Sequence, residues 1–84
     1  MNATIDTLIE FFVEQGYKDV RVLADSTIIG TIELMYTRGL VIDLDRHGYA
    51  HRYCYADRDQ ATEACRVMQS GDELPMAGYI AERH

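Results

Sequence analysis

The run from Asp43 to Gly48 is the stretch of this sequence whose residue types come nearest to a chemical site, because it begins like a calcium-binding loop. Asp43 and Asp45 occupy the first and third positions and Gly48 the sixth, as such a loop requires. The pattern then ends, since the fifth position is His47 and the twelfth is Cys54, where a bidentate glutamate is needed. We therefore interpret Asp45 to Gly48 as a charged hairpin turn.

Histidine and cysteine side chains could form two other kinds of site, a zinc centre and a thiol nucleophile. In a strand, His47 and His51 would be about 13 Å apart, whereas zinc ligands lie within ~2.3 Å of one atom. Cys65 is on the apolar side of a predicted helix, where burial raises the pKa of a thiol and makes it unreactive. The sequence contains no serine nucleophile motif and no glycine-rich phosphate loop. It therefore predicts no enzyme activity, no cofactor and no metal ligand.

The segment from Gly48 to Tyr55 has a likeness to the third-strand motif of RNA-recognition domains. With the strand period of two, Tyr49, His51 and Tyr53 would share one face, on which bases could stack. A net charge of −6 repels nucleic acid, and aromatic residues at this period are typical of core or cross-strand pairs. These three residues are therefore an alternative nucleic-acid face, and direct nucleic-acid binding is not the leading expectation.

Acidic residues outnumber basic ones, fourteen against eight. Asp6, Glu10 and Glu14 recur every four residues, so on a helix they form a ladder of carboxylates roughly 6 Å apart. This ladder, together with Asp43 and Asp45 if the turn lies on the same side, would attract a basic protein surface. Two plainer interpretations stay open, which are an ordinary solvated helix face and a net charge that keeps a small domain soluble.

The elements that position these residues are predicted in the order α-β-β-β-β-α. A helix over residues 3–15 is indicated by an apolar stripe at helical spacing, made of Ile5, Leu8, Ile9, Phe12 and Val13. Strands are predicted over residues 17–24 and 27–36, followed by the hairpin over 37–55. Asp57 is the predicted N-cap of a second helix that ends at Gly71. Its predicted inner face consists of Ala61, Ala64, Cys65 and Met68.

We expect a single α+β domain over residues 1–84, with an antiparallel sheet of three to four strands and both helices packed on one face. The tail, residues 72–84, is predicted to be largely irregular and to fray after Ile80. The sequence has no apolar run long enough for a membrane span and no basic-then-apolar start typical of a secretory signal. A cytoplasmic location with reduced thiols at Cys54 and Cys65 is therefore expected.

The segment TRGLVIDLDRHGYAHRYCY, the alanine-rich DRDQATEACRVMQ after it and the tail with Pro75 resemble small proteins encoded by bacterial phages and prophages. The resemblance covers roughly the C-terminal half, and in size and acidity the chain is similar in type to anti-CRISPR inhibitors. It implies a stoichiometric inhibitor in the bacterial cytoplasm whose partner is a host defence complex, in particular a CRISPR effector. A dimeric or antitoxin-like interaction protein is a further alternative, because an exposed sheet edge can pair with a second copy.

Overall fold

The computed structural model describes residues 3–35 and 37–83, with residues 3–6 as helical backbone only. Its elements are α1 Ala3–Glu14, β1 Tyr17–Val22, β2 Ile28–Glu33, β3 Arg38–Ile42, β4 His51–Tyr55, α2 Arg58–Val67 and β5 Ala81–Arg83. The strands form one antiparallel sheet in chain order, β1-β2-β3-β4-β5. Short connections favour this arrangement, because antiparallel neighbours can be joined by tight turns. The predicted α+β class is confirmed.

The tail adds a strand that the sequence does not predict. Residues 72–80 lack regular structure, but the end of the tail pairs with β4, with Arg83 opposite Arg52. The amide of Ile80 donates a hydrogen bond to the carbonyl of Cys54 (2.8 Å) and leads the chain into this pairing. The predicted fraying after Ile80 is therefore wrong, and the sheet has five strands instead of three to four. A strand of three exposed residues has no apolar alternation from which to predict it.

The two helices pack on opposite faces of the sheet, which corrects the prediction that they share one face. Leu40 and Ile42 of β3 belong to the buried cluster under α2, whereas Val41 between them packs with Phe12 of α1. Successive side chains of a strand point to opposite faces, so β3 is covered on both sides. A strand buried on both faces is apolar throughout, and the apolar residues at 40, 41 and 42 carry that signal.

Helix α1 packs along β1 through Leu8, Phe11 and Phe12. The predicted stripe is correct for Leu8 and Phe12, but Val13 is 56% exposed and Phe11 takes its place. The rings of Phe11 and Phe12 meet edge to face, with centroids 5.6 Å apart. Ile5 lies outside the described side chains. Within the described residues, no helix is long and apolar enough to cross a membrane.

Helix α2 is fixed at both ends by side chains. The carboxylate of Asp57 accepts a hydrogen bond from the amide of Asp59 (2.8 Å), as expected of the predicted N-cap. The helix ends at Val67, four residues before the predicted Gly71. There, Nη1 of Arg21 on β1 donates to three carbonyl groups, those of Cys65 (2.6 Å), Arg66 (3.0 Å) and Met68 (2.8 Å). The predicted inner face is buried at all four positions, Ala61, Ala64, Cys65 and Met68.

Candidate functional site

The hairpin between β3 and β4 ends in the tight turn that the sequence predicts. The backbones of Asp45 and Gly48 pair through two hydrogen bonds, with N–O distances of 2.8 and 3.2 Å. The Asp45 carboxylate accepts a further bond from the amide of His47 (2.7 Å). Gly48 has a φ of 131°, a conformation that glycine adopts without a steric penalty. The turn therefore holds the Asp45 carboxylate in a fixed position at the hairpin tip.

Between β3 and this turn, the chain leaves the sheet at Asp43, which has a φ of 64°. A positive φ is uncommon outside glycine, and aspartate is among the residues that tolerate it. Leu44 then turns inward, its amide donating to the carbonyl of Ile28 (2.9 Å) and its side chain joining the cluster under α1. The segment from Asp43 to Ala50 thus packs Leu44 into the cluster on the α1 side, with Asp43 and Asp45 exposed on either side of it.

A cleft of about 430 Å³ lies between this segment and the β1–β2 turn. Ile28, Leu44 and Tyr49 give it an apolar wall, and Asp43 and Asp45 bring two carboxylates to it. The cleft is completed by Ser26, Thr27, His47 and Ala50. An apolar wall combined with carboxylates suits a group that has an aliphatic stem and a positively charged end, such as a lysine or arginine side chain.

A smaller cavity of about 190 Å³ joins the hairpin tip to the C-terminal end of α1. Phe11 and Gln15 line it from the helix, and Asp45 lines it from the turn. Glu10 and Glu14 directly precede Phe11 and Gln15, so each is turned by about 100° around the helix from a cavity residue. The helix that carries Glu10 and Glu14 therefore meets the hairpin tip at this cavity, through Phe11 and Gln15 on one side and Asp45 on the other.

Four of the five predicted partner-binding side chains are described, and all four are exposed: Glu10, Glu14, Asp43 and Asp45. Asp6 lies in the first turn of α1, where side chains are outside the described residues. The salt bridges among described residues involve none of the four. We call Glu10, Glu14, Asp43 and Asp45 the acidic surface.

Several arginines neutralise carboxylates elsewhere, on the α2 side of the sheet. Arg38 and Arg58 each bind Glu33 at 2.8 Å, and Arg66 pairs with Glu63 within α2. The hydrogen bonds from Arg38 hold the pKa of Glu33 below its usual value. These three arginines are thus engaged away from the acidic surface, whereas Arg46 lies beside Asp45 at the hairpin tip.

Tyr17 lines the smaller cavity, and its pKa is affected by burial and by the charge of Asp45 in the hairpin. Burial raises the pKa of Tyr17, and the neighbouring Tyr49 and Asp45 raise it further. A negative charge disfavours ionisation of a phenol only when it is close. Tyr17 and Asp45 line the same cavity, so the hairpin tip lies close to the start of the first strand.

The alternative nucleic-acid face does not assemble from its three residues. Tyr49 packs on the α1 side, whereas Tyr53 packs on the α2 side, is 6% exposed and meets Tyr79 edge to face at 4.9 Å. His51 is half-buried at the start of β4. The prediction that Tyr49, His51 and Tyr53 share one face is wrong, because the strand period applies only from His51 onward and Tyr49 lies in the irregular segment before it.

The two cysteines are buried, and Cys65 has the environment that the sequence predicts. Burial raises the pKa of the Cys65 thiol to about 11, and the Asp19 carboxylate adds to this effect. The thiol donates a hydrogen bond to the carbonyl of Asp19 (3.3 Å). Among the residues that the structure describes, no group of three or more histidine, cysteine, aspartate and glutamate side chains is arranged to hold a metal ion.

Two sets of residues near the site are not predicted by the sequence. Ser26 and Thr27 belong to the β1–β2 turn, and the signal that could have found them is topological, because alternate turns of a meander lie at the same end of the sheet. Arg52 and Arg83 stand opposite each other on β4 and β5. That pair had no signal in the sequence, since β5 itself is not predictable from it.

The fold and the acidic surface together define a small α+β protein with an antiparallel meander and four exposed carboxylates that form no salt bridge with a described residue. Comparison of the chain with models of known protein families, with curated proteins and with solved structures gives no match.

Proposed function

We propose that this protein is a non-catalytic inhibitor that binds a basic surface of a host defence complex through its acidic surface. The observation that supports the proposal is the group of four exposed carboxylates, on α1 and at the hairpin, that have no salt-bridge partner among described residues. Carboxylates held on a folded surface attract the arginines and lysines that otherwise bind phosphates. An inhibitor of this kind denies nucleic acid access to the basic surface that it covers.

The cleft beside the hairpin supplies a place for one basic side chain of the partner. The aliphatic stem of a lysine or arginine would pack on Leu44 and the ring of Tyr49, and its charged end would meet Asp43 and Asp45. Buried anchors of this type contribute most of the affinity in protein interfaces, whereas charges at the rim mainly affect the rate of association. We therefore assign Asp43 and Asp45 to the anchor and the α1 carboxylates to the rim.

The resemblance to anti-CRISPR proteins suggests a CRISPR effector in the bacterial cytoplasm as the partner. Effectors of this class hold guide and target strands in positively charged channels. A chain with a net charge of −6 is steered toward such a channel by long-range attraction. The same charge opposes direct binding of the protein to nucleic acid, so we propose protein–protein contact as the mode of action.

The test is charge reversal on α1, with Glu10→Lys and Glu14→Lys in one chain. Purified CRISPR effector complexes are passed over the immobilised protein at low and at high salt, and their binding to target DNA is measured with and without the protein. We expect binding at low salt, release at high salt and inhibition of DNA binding. Reversing two charges replaces two attractions of ~0.2–1 kcal/mol each by repulsions of similar size, a change of ~0.8–4 kcal/mol, so the variant should bind at least about fourfold more weakly.

A matched control reverses two exposed carboxylates outside the acidic surface, Asp59→Lys on α2 and Asp72→Lys in the segment after it. It makes the same change in net charge, so it should lose less affinity than the α1 variant if position matters. Circular dichroism of both variants checks that the helices are retained. Unchanged binding and inhibition by the variant of Glu10 and Glu14 would refute the role assigned to the α1 carboxylates, and absence of binding to any effector would refute the choice of partner.

A further inference from the structure

The cross-strand pair of Arg52 and Arg83 is unusual for so acidic a chain. The two residues are directly opposite in the β4–β5 register, so their side chains leave the same face of the sheet with Cβ atoms about 4.5–5.5 Å apart. Like charges in this position destabilise a sheet unless a counter-charge lies between them. The chain has fourteen acidic residues, yet no salt bridge among described residues involves either arginine.

The side chain of Arg52 is held in place by two neighbours that do not neutralise it. Its aliphatic stem lies over Gly39 of β3, where a Cβ atom would come within 3.1 Å of Arg52 Cγ. Its Nη1 donates to the hydroxyl of Tyr49 (2.9 Å), a neutral acceptor. Its Nε is buried and has no hydrogen-bond partner. The guanidinium is thus fixed in position while its charge and one of its donors are left unsatisfied.

Arg83 differs from Arg52 in being exposed on the edge strand, where a solute has access to it. The contrast with other arginines of the chain is informative, because Arg38 and Arg66 each have a carboxylate partner. Among the arginines that have no salt bridge with a described residue, Arg21 binds backbone carbonyls and Arg46 lies at the hairpin tip, whereas Arg52 and Arg83 stand side by side. Guanidinium groups present planar arrays of donors that match the oxygens of phosphate and carboxylate groups.

We propose that Arg52 and Arg83 form a binding site for an oxyanion, a phosphate or a carboxylate group, that bridges the two guanidinium groups. Such an anion would supply the counter-charge that the described residues lack and would relieve the repulsion across β4 and β5. The site selects the opposite charge from the acidic surface. It shares Tyr49 with the cleft, so the two functions are separated through Arg83, which does not line that cleft.

The test is a titration of the full chain, followed by the NMR signals of the arginine side chains and of the backbone amides of Arg52 and Arg83. Inorganic phosphate is used in one series and glutarate in the other, with chloride adjusted to keep the ionic strength constant. Saturable shifts at both residues are expected from at least one of the two anions. Arg83→Gln should weaken that binding about tenfold, the effect expected when one charge-assisted contact is lost.

Two further variants keep the result interpretable. Arg66→Gln removes an exposed positive charge on α2, and it should leave the titration unchanged. Arg52→Gln should abolish saturation, and because this residue is partly buried, its effect is read only together with that of the exposed Arg83→Gln. Saturation with only phosphate or only glutarate identifies the source of the anion. Saturation with neither anion, or equal binding by the wild type and Arg83→Gln, would overturn the proposal.

Discussion

The side chain of Arg21 should be the most important single contact between β1 and α2. Its Nη1 donates to the carbonyl groups of three residues at the end of α2, at distances of 2.6 to 3.0 Å. These carbonyls have no acceptor role within the helix, because the last four carbonyl groups of an α-helix lack intrahelical partners. Arg21→Met retains much of the stem and removes every donor, so it isolates this interaction.

The expected loss of stability in Arg21→Met follows from the number of hydrogen atoms that Nη1 can donate. Nη1 carries two hydrogens, so the three carbonyl contacts amount to two full hydrogen bonds shared among three acceptors. Hydrogen bonds to a charged group contribute about 1.5–3 kcal/mol each, and a cation at a helix C-terminus adds about 0.3–1 kcal/mol. Because Arg21 is only half-buried, water replaces part of this in the variant. We expect Arg21→Met to lower the free energy of unfolding by about 2–3 kcal/mol.

Urea denaturation followed by circular dichroism measures this loss directly, and thermal unfolding should show a fall in Tm of roughly 10–20 °C. Arg66→Met is the matched control, since Arg66 is also a cation in the last turn of α2 but is largely exposed and pairs with Glu63. It should cost clearly less than Arg21→Met, because an exposed ion pair is screened by water. If Arg21→Met is no more damaging than Arg66→Met, the carbonyls are satisfied by water and the reasoning is wrong.

Two more predictions concern the contact between the β1–β2 turn and the segment after α2. Asp25 accepts hydrogen bonds from the amides of Gly71 and Thr27 and from the hydroxyl of Ser70, and these lower its pKa to about 2. The folded-state pKa lies below the unfolded value of about 3.9, so this stabilisation is present above pH ~4 and is lost as the pH falls toward 2. Asp25→Asn should therefore flatten the decline in the free energy of unfolding, measured with urea, over that pH range. An unchanged decline in the variant would contradict the assignment. Gly71→Ala should lower the free energy of unfolding by about 1–3 kcal/mol through overpacking. The reason is that the added Cβ would lie 2.3 Å from Thr27 Oγ1 and 2.8 Å from Thr27 Cβ. An equal loss in a Thr27→Gly background, measured by the same denaturation, would exclude this clash as the cause.

Local patterns in the sequence were sufficient for the elements whose structure is set by neighbouring residues. The turn at Asp45 to Gly48 was predictable because the required residue types are adjacent in the chain. The start of α2 at Asp57 and its inner face were predictable for the same reason, since a cap and a helical stripe are local features. Glu10 and Glu14 lie on an exposed face of α1, which the sequence had left open.

Features that depend on distant residues were not predictable. The apolar run at Leu40 to Ile42 indicates that β3 is buried on both faces, but it does not show that a different helix covers each face. The pairing of β5 depends on β4 offering its backbone as an edge, and not on the exposed side chains of β5. The position of Tyr49 depends on the irregular chain at Asp43, where a positive φ ends the alternation on which the shared aromatic face relied.

The uneven distribution of charge determines how salt should act on this protein. The salt bridges among described residues lie on the α2 side and are partly exposed, so screening them removes little stability. The carboxylates of the acidic surface repel one another, and salt relieves that repulsion in the free chain. Salt should therefore weaken attraction to a basic partner while leaving the fold intact. Release of a partner at high salt, with an unchanged circular dichroism spectrum, consequently reports on the interface and not on unfolding.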